Sequence, residues 1–267
     1  MKRPINIHGE LPALSREIDA GGTQWFIPAE VPIAFVFNRR NYAVMMGTPA
    51  DLEDFALGFA LTEEIIKSLD EVKSLDIYVS EKGADLRFKI MPEALERLDI
   101  TQRRRNMVGS ASCGLCGLEN TDTLFKVLPR VSDSQIELGD QAMIKAMAAL
   151  RDHQPLNAQT HSVHAAAWVT RAGDIVLVRE DVGRHNALDK LLGAMALDNI
   201  DTQSGFVLMS SRCSYEIVEK AARCGVQAIL SISGPTAFAM RKAKEANMAI
   251  YARSAGSNGY ASIVRLI

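Results

Sequence analysis

Residues 206–251, which begin with Phe206-Val-Leu-Met209, decide the fold. Short apolar runs alternate there with segments whose apolar residues recur at helical spacing, a pattern typical of β-α-β units. We predict strands at 206–209, 228–232 and 249–251, and helices at 215–224 and 235–247. Strands joined in this way are usually parallel, with the helices on the faces of the sheet.

A helix and a strand pair precede this alternation. Periodicity predicts a helix over 138–151, strands over 163–169 and 175–178 around the turn Arg171-Ala-Gly-Asp174, and a helix over 186–197. The order α-ββ-α-β-α-β-α-β favours an α/β fold with three layers, like that of cytidine deaminases.

The amino-terminal part of the chain has a different pattern. Residues 1 to about 30 show no clear period, and we interpret them as an irregular lead-in. Strand pairs at 31–37 with 42–46 and at 75–79 with 86–90 flank a helix, for which Thr48 is the expected N-cap, and a short helix follows at 92–98. We therefore expect a small α+β domain (ββαββ) over 1–102, a linking region over 103–137 and the α/β domain over 138–267.

Composition excludes several classes of protein. With 267 residues, 48% apolar residues and a net charge of −2, the chain can bury a full core and does not have the basic excess typical of nucleic-acid binding. It has no apolar run of about 18 residues, and no apolar segment follows the basic residues at the start. We expect a cytoplasmic protein with no membrane partner.

Two of the four cysteines, Cys113 and Cys116, form a C-x-x-C pair surrounded by glycine, serine and alanine. Arginines 103–105 lie just upstream, and nearby positive charge favours the nucleophilic thiolate. Nucleophilic cysteine chemistry is the first hypothesis. The alternative is a zinc site that these cysteines would complete with His161 and His164. We interpret the other two cysteines, 213 and 224, as small buried or capping residues.

Three segments after the predicted parallel strands carry small hydroxyl residues, glycines and cations: 210–214, 231–235 and 253–259. Ligands of open α/β sheets bind beyond the carboxyl ends of the strands, and this composition suits a phosphate-bearing anion. Helix capping explains each segment separately, but it does not require Arg212 and Arg253.

The turn Glu180-Asp-Val-Gly-Arg-His-Asn186 also gathers many functional groups. We expect Asp181 to orient Arg184 or His185, and a positioned imidazole can transfer protons near neutral pH. Zinc deaminase chemistry is not favoured, because the two helix starts that would carry H-x-E and P-C-x-x-C have neither the glutamate nor the second cysteine.

Several stretches together resemble the FdhD/NarQ family of formate dehydrogenase accessory proteins. The likeness runs from about Val31 to the carboxyl terminus. The stretches are Thr48-Pro-Ala-Asp-Leu52, Ala56-Leu-Gly-Phe-Ala-Leu-Thr-Glu63, Ser112-Cys-Gly-Leu-Cys-Gly117, His164-Ala-Ala-Ala167, Arg179-Glu-Asp-Val-Gly-Arg-His-Asn-Ala-Leu-Asp-Lys190 and Ser210-Ser-Arg-Cys-Ser-Tyr-Glu216.

The resemblance implies a sulfurtransferase. Its partners would be a cysteine desulfurase and the catalytic subunit of formate dehydrogenase, and a homodimer is compatible with the sequence. Sulfur would pass to the molybdenum or tungsten of a bis(molybdopterin guanine dinucleotide) cofactor. Cys113 would carry the persulfide, assisted by Cys116. The cofactor-binding residues would be His164, Arg184, His185, Ser211, Arg212, Arg253, Ser254, Ala255, Gly256, Ser257 and Asn258.

One segment departs from the family pattern. The cofactor loop of the family usually has an aromatic residue, then glycine and a basic residue, whereas this chain has Arg253 at the aromatic position and Asn258 at the basic one. A second interpretation of the whole chain is a non-catalytic chaperone that binds the cofactor and formate dehydrogenase and uses its cysteines to hold a structural zinc.

Overall fold

The computed structural model describes residues 4–106, 127–133, 136–255 and 261–267. The strands are β1 Ile5–His8, β2 Ser15–Ala20, β3 Thr23–Pro28, β4 Val31–Phe37, β5 Arg40–Gly47, β6 Val72–Ser80, β7 Gly83–Ile90, β8 His164–Thr170, β9 Ile175–Asp181, β10 Gly205–Met209, β11 Ala228–Ser231, β12 Ala249–Ala255 and β13 Ala261–Arg265. The helices are α1 Leu52–Thr62, α2 Pro92–Asn106, α3 Asp140–Ala149, α4 Pro155–Thr160, α5 Arg184–Leu197, α6 Tyr215–Arg223 and α7 Ala237–Ala246, with 3-10 turns at Leu69–Glu71 and Leu150–His153.

The first sheet has the strand order β1-β6-β7-β4-β5, and both predicted hairpins are confirmed. The prediction that residues 1 to about 30 are irregular is wrong. Strand β1 adds to this sheet as a parallel edge strand beside β6, and β2 and β3 form a separate hairpin. Most of the side chains on that hairpin are exposed on both of its faces. Such a hairpin does not need the alternation of apolar and polar residues by which a half-buried strand is recognised.

Helix α1 begins later than predicted. Its N-cap is Asp51, in the left-handed region at φ 52°, and Thr48 is buried three residues upstream. The Thr48 hydroxyl accepts a hydrogen bond from the Val182 N–H at 3.1 Å, and its own N–H donates to the Asp181 carboxylate at 3.0 Å. Thr48 therefore joins the first sheet unit to the β9–α5 turn instead of capping a helix.

The second sheet has the order β13-β12-β11-β10-β8-β9, and the predicted parallel arrangement of β10, β11 and β12 is confirmed. Alternate residues of these strands enter two apolar clusters, one shared with α5, α6 and α7 and the other with α3. The fold class is therefore mixed α/β, as predicted, whereas the specific likeness to cytidine deaminases and the three domain boundaries stay predictions. Strand β12 is longer than expected because the antiparallel strand β13 pairs with it as far as Ala255.

Helices α1 and α5 contact each other closely, which joins the two sheet units. Gly58 of α1 faces the backbone of Asp189, and Gly193 of α5 faces the backbone of Asp54. Glycine permits this approach because no Cβ separates the two backbones. In the described part of the chain, no helix has both the length and the apolar character that a membrane span would need.

Candidate functional site

A pocket of about 460 Å³ lies at the carboxyl ends of the parallel strands β10, β11 and β12. Ser210 follows β10, Ile232 follows β11, and Arg253 lies in the second half of β12. The opposite wall comes from α3, α4 and the 3-10 turn between them. The lining residues are Met147, Ala148, Leu150, Arg151, Gln154, Asn157, Val163, His164, Ser210, Ile232 and Arg253.

The direction of β8 explains why His164 reaches this pocket. Strand β8 runs antiparallel to β10, so its first residue lies beside the carboxyl end of β10. The Ser210 hydroxyl accepts a hydrogen bond from the Ala165 N–H at 2.8 Å, and the Ser210 N–H donates to the Ala165 carbonyl at 2.9 Å. His164 and Ser210 are thus held next to each other by the sheet itself.

The other sequence-predicted residues have different positions. Ser211 is buried and its hydroxyl donates to the Arg212 carbonyl at 3.0 Å, while the Arg212 side chain is exposed; neither residue lines the pocket. Ser254 and Ala255 belong to β12. Cys113, Cys116, Gly256, Ser257 and Asn258 lie outside the described residues.

Arg184 and His185 occupy the first turn of α5. His185 Nε2 is 3.0 Å from Glu216 Oε2, at the start of α6, and 3.4 Å from the Ser214 hydroxyl. Arg184 Nε is buried and donates no hydrogen bond to any residue in the described ranges. Both Arg184 and His185 are near enough to influence His164 by their charge.

Asp181 does not orient Arg184 or His185, contrary to prediction. Its carboxylate is fully buried and accepts hydrogen bonds from the N–H groups of Thr48 and Gly183 and from the Asn186 side chain. It also pairs with Lys190 at 2.7 Å, and both side chains are inaccessible to solvent. The acid is therefore structural, and it supports the turn from which Arg184 and His185 project.

Glu180 and Arg179 are structural too. The Glu180 carboxylate accepts hydrogen bonds at 2.9 Å from the N–H groups of Leu156 and Asn157 in the first turn of α4. Arg179 Nε donates to the Asp54 carboxylate of α1 at 2.6 Å. These contacts hold α4, which forms one wall of the pocket, and α1 against strand β9.

Sequence reasoning missed the pocket residues of α3, α4 and the turn between them, such as Arg151, Gln154 and Asn157. The helical period of 138–151 indicated a helix but gave no sign of a ligand-facing side. Pro155 after Gln154 was the available signal, since proline favours the first turn of a new helix.

Similarity to known proteins identifies the family of this chain. The model of the FdhD/NarQ family matches residues 28–266. The chain belongs to the FdhD/NarQ family. The sulfur carrier protein FdhD of Xanthomonas euvesicatoria is 45% identical over 227 residues, which are 85% of this chain and 80% of that protein. The protein of the same name from Bordetella petrii is 41% identical over 242 residues, 90% of this chain and 86% of that one.

A solved structure shows the same fold. The crystal structure of a "putative formate dehydrogenase accessory protein" from Desulfotalea psychrophila superposes with a TM-score of 0.68 at 23% identity. The match covers 94% of this chain and 96% of the other. At that identity the likeness concerns the fold alone.

The two described cysteines of this family member are poor nucleophiles. Burial raises the pKa of the Cys213 thiol and of the Cys224 thiol to about 12. Both remain protonated near neutral pH, and a protonated thiol neither attacks sulfur nor binds metal readily. Cys213 is fully buried and Cys224 is the C-cap residue of α6, so the interpretation as small buried or capping residues is confirmed.

The zinc alternative depends on residues outside the described ranges. Within those ranges, no three His, Cys, Asp or Glu side chains are grouped closely enough to hold a metal ion. His161 is exposed in the left-handed region at the end of α4, whereas His164 is half-buried in the pocket.

His164 makes the free energy of unfolding of this protein depend on pH. Burial lowers the pKa of His164, and the charge of Arg184 lowers it further. The unfolded chain has the ordinary histidine pKa of about 6.5, so it takes up a proton as the pH falls below that value while the folded protein resists it. We expect the free energy of unfolding to decrease as the pH falls through about 6.5 and below, and to decrease less in His164→Gln.

Urea denaturation over this range measures the effect. His153, exposed at the end of the 3-10 turn, provides the control, and His153→Gln should keep the wild-type dependence. An unchanged dependence in His164→Gln would contradict the assignment.

Proposed function

We propose that this chain is a sulfurtransferase that carries persulfide sulfur from a cysteine desulfurase to the metal of a bis(molybdopterin guanine dinucleotide) cofactor for formate dehydrogenase. The observation that carries the proposal is the pocket at the carboxyl edge of β10–β12, in a chain of this family. His164, Ser210 and Arg253 line it, as expected for residues that hold a phosphate-bearing ligand. The relatives' name, sulfur carrier protein, agrees with the chemistry.

The residues of the site fit an anionic acceptor. Arg151 and Arg253 lie on opposite walls of the pocket, with exposed side chains. Arg184 does not line the pocket, but its Nε is buried and donates no hydrogen bond within the described residues. A buried donor without a partner costs free energy, and a phosphate oxygen would supply the missing acceptor. The apolar side chains of Leu150, Val163 and Ile232 complete the lining and suit the flat rings of a pterin or a purine.

The first transfer conserves charge and electrons. The Cys113 thiolate attacks the terminal sulfur of the desulfurase persulfide, a new S–S bond forms at Cys113, and the old S–S bond breaks. The desulfurase cysteine leaves as a thiolate, and the transferred sulfur keeps its proton. Arginines 103–105 would favour the attacking thiolate.

In the second transfer, the cofactor is the acceptor substrate. The S–S bond at Cys113 breaks, and its electron pair stays on the cysteine as a thiolate. The sulfur would become sulfide by taking two electrons from the reduced metal, which would be oxidised by two, and the proton on the sulfur would be released to water. This chain contributes the binding of the cofactor's anionic groups by Arg253, Arg184 and His164, and Cys116 would act as a second acceptor or assist release.

Persulfide labelling tests the function. The protein is incubated with a cysteine desulfurase and cysteine, and its intact mass is measured. Wild type should gain sulfur, Cys113→Ala should gain none, and Cys224→Ala, which changes a thiol held in the protonated form, should behave as wild type. Labelling of Cys113→Ala at the full level would remove Cys113 from the mechanism.

Metal analysis of the same samples addresses the chaperone alternative. One tightly bound zinc per chain, lost in Cys113→Ala or His164→Ala, would favour a structural zinc site and contradict sulfur transfer through these cysteines. Metal-free protein with two titratable thiols agrees with the transferase.

A further inference from the structure

Helix α4, which forms part of one wall of the pocket, cannot fix its own position. It has only six residues, and its N-cap residue, Gln154, makes no side-chain cap hydrogen bond. A helix this short is not stable alone, because its first N–H groups have no partners within the helix. The position of α4 therefore depends on contacts with other elements.

Apolar packing contributes little to holding α4. Leu156 is the buried apolar residue of this helix, yet it belongs to none of the three apolar clusters found in the described part of the chain. Leu150, in the 3-10 turn before it, does belong to the cluster shared with α3. The chain thus leaves the core after Leu150, and polar contacts must hold the wall beyond that point.

Glu180, from the edge strand β9, supplies those polar contacts. Its Oε2 accepts a hydrogen bond from the Leu156 N–H and its Oε1 accepts one from the Asn157 N–H, both at 2.9 Å. Because both oxygens act as acceptors, the geometry is that of an ionised carboxylate, which accepts stronger hydrogen bonds than a neutral group. Burial raises the pKa of Glu180, whereas the two N–H groups and the nearby Gln154 amide oppose this rise. The carboxylate therefore caps α4 in place of a local residue.

The same carboxylate relates the two walls of the pocket to each other. Glu180 lies opposite Ala165 in the register of β8 and β9, next to His164, which lines the pocket from the sheet side. Gln154, only 4% exposed, and Asn157 line it from the α4 side. Glu180 thus sets where the α4 wall lies relative to the strand that carries His164.

We propose that Glu180 is a positioning residue, which holds Gln154 and Asn157 at the pocket and thereby determines the affinity of the site for its ligand. The inference rests on the proposed function, because that function supplies the ligand. The rival explanation is a purely structural role, in which the carboxylate stabilises the folded chain and leaves the affinity unchanged. Affinity and free energy of unfolding, measured on the same variants, separate the two.

The experiment compares Glu180→Ala, Glu180→Gln and Arg179→Gln. Arg179 precedes Glu180 on β9, and its Nε donates to the Asp54 carboxylate of α1 at 2.6 Å, so its variant breaks a contact of the same strand that does not involve the pocket wall. The probe is guanosine diphosphate, which carries the guanine and pyrophosphate of the proposed cofactor, and calorimetry measures its affinity. Urea denaturation gives the free energy of unfolding, and hydrogen exchange reports the protection of the Leu156 and Asn157 amides.

We expect Glu180→Ala to bind guanosine diphosphate about tenfold more weakly than wild type, because the ligand must then order the α4 wall as it binds. Glu180→Gln should lose less affinity, since its side-chain oxygen can still accept one of the two N–H groups. Arg179→Gln should lose stability and keep the wild-type affinity. The Leu156 and Asn157 amides should exchange faster in Glu180→Ala but not in Arg179→Gln.

Wild-type affinity in Glu180→Ala, with or without a loss of stability, would overturn the inference and leave the proposed function intact. Equal losses of affinity in Glu180→Ala and Arg179→Gln would also overturn it, because affinity would then follow the general stability of β9. If Glu180→Ala does not fold, Glu180→Gln takes its place, and wild-type affinity in that variant overturns the inference. Failure of wild-type protein to bind the nucleotide would instead overturn the proposed function, and with it the ligand role of Glu180.

Discussion

Replacement of Lys190 by alanine is expected to lower the free energy of unfolding by about 3–5 kcal/mol, because it leaves the buried Asp181 carboxylate without its counter-ion. The two side chains are completely buried, and their charged atoms are 2.7 Å apart. Lys190 Nζ also donates to the carbonyl of Thr48 at 3.0 Å, so the change disconnects the loop before α1 as well. Urea denaturation followed by circular dichroism measures the effect.

An exposed ion pair provides the matched control. Lys145 and Asp174 are 2.6 Å apart, but their side chains are 54% and 60% exposed. Lys145→Ala should cost at most about 1 kcal/mol, since water screens such pairs. The double variant Asp181→Asn, Lys190→Met removes both charges and should recover part of the lost stability. Equal losses for Lys190→Ala and Lys145→Ala would contradict the role given to the buried pair.

This pair also shows where sequence reasoning failed. The density of charged residues in 179–190 indicated a functional site, yet Arg179, Glu180, Asp181 and Lys190 are used to hold elements together. Two of their partners, Asp54 and Thr48, lie more than a hundred residues away in sequence. A local pattern cannot indicate such a partner, so buried and ligand-facing charges look alike until the fold is known.

The elements that were predicted correctly are those whose secondary structure is determined by their own residues and not by distant contacts. Strands β10 and β11 are continuous apolar runs because the sheet is covered on both faces, and such runs are visible in the sequence. Parallel topology predicted that the segments 210–214 and 253–259 border a ligand site. Ser210 and Arg253 line the pocket, whereas Ser211 and Arg212 do not. His164 was predicted from the family resemblance, not from topology. The His185–Glu216 contact was not found, because it depends on how two helices lie side by side.

Substitution of Gly193 by alanine is expected to destabilise the protein by about 3 kcal/mol, near the upper end of the usual cost of overpacking. A Cβ atom at this position would lie 1.9 Å from the Asp54 carbonyl oxygen and 2.8 Å from the Gly58 nitrogen. Both are backbone atoms, so no side-chain rotation can relieve the clash, and α5 must move away from α1. Since α5 carries Arg184 and His185 at its first turn, its displacement should also weaken binding of the proposed cofactor.

Gly139 offers the control for loss of a glycine as such. It is the N-cap of α3, and a Cβ there would meet no atom within 4 Å. Gly139→Ala should change the free energy of unfolding by less than about 1 kcal/mol, because weaker capping and a less flexible unfolded chain act in opposite directions. If Gly193→Ala were as stable as Gly139→Ala, the contact between α1 and α5 would be adjustable.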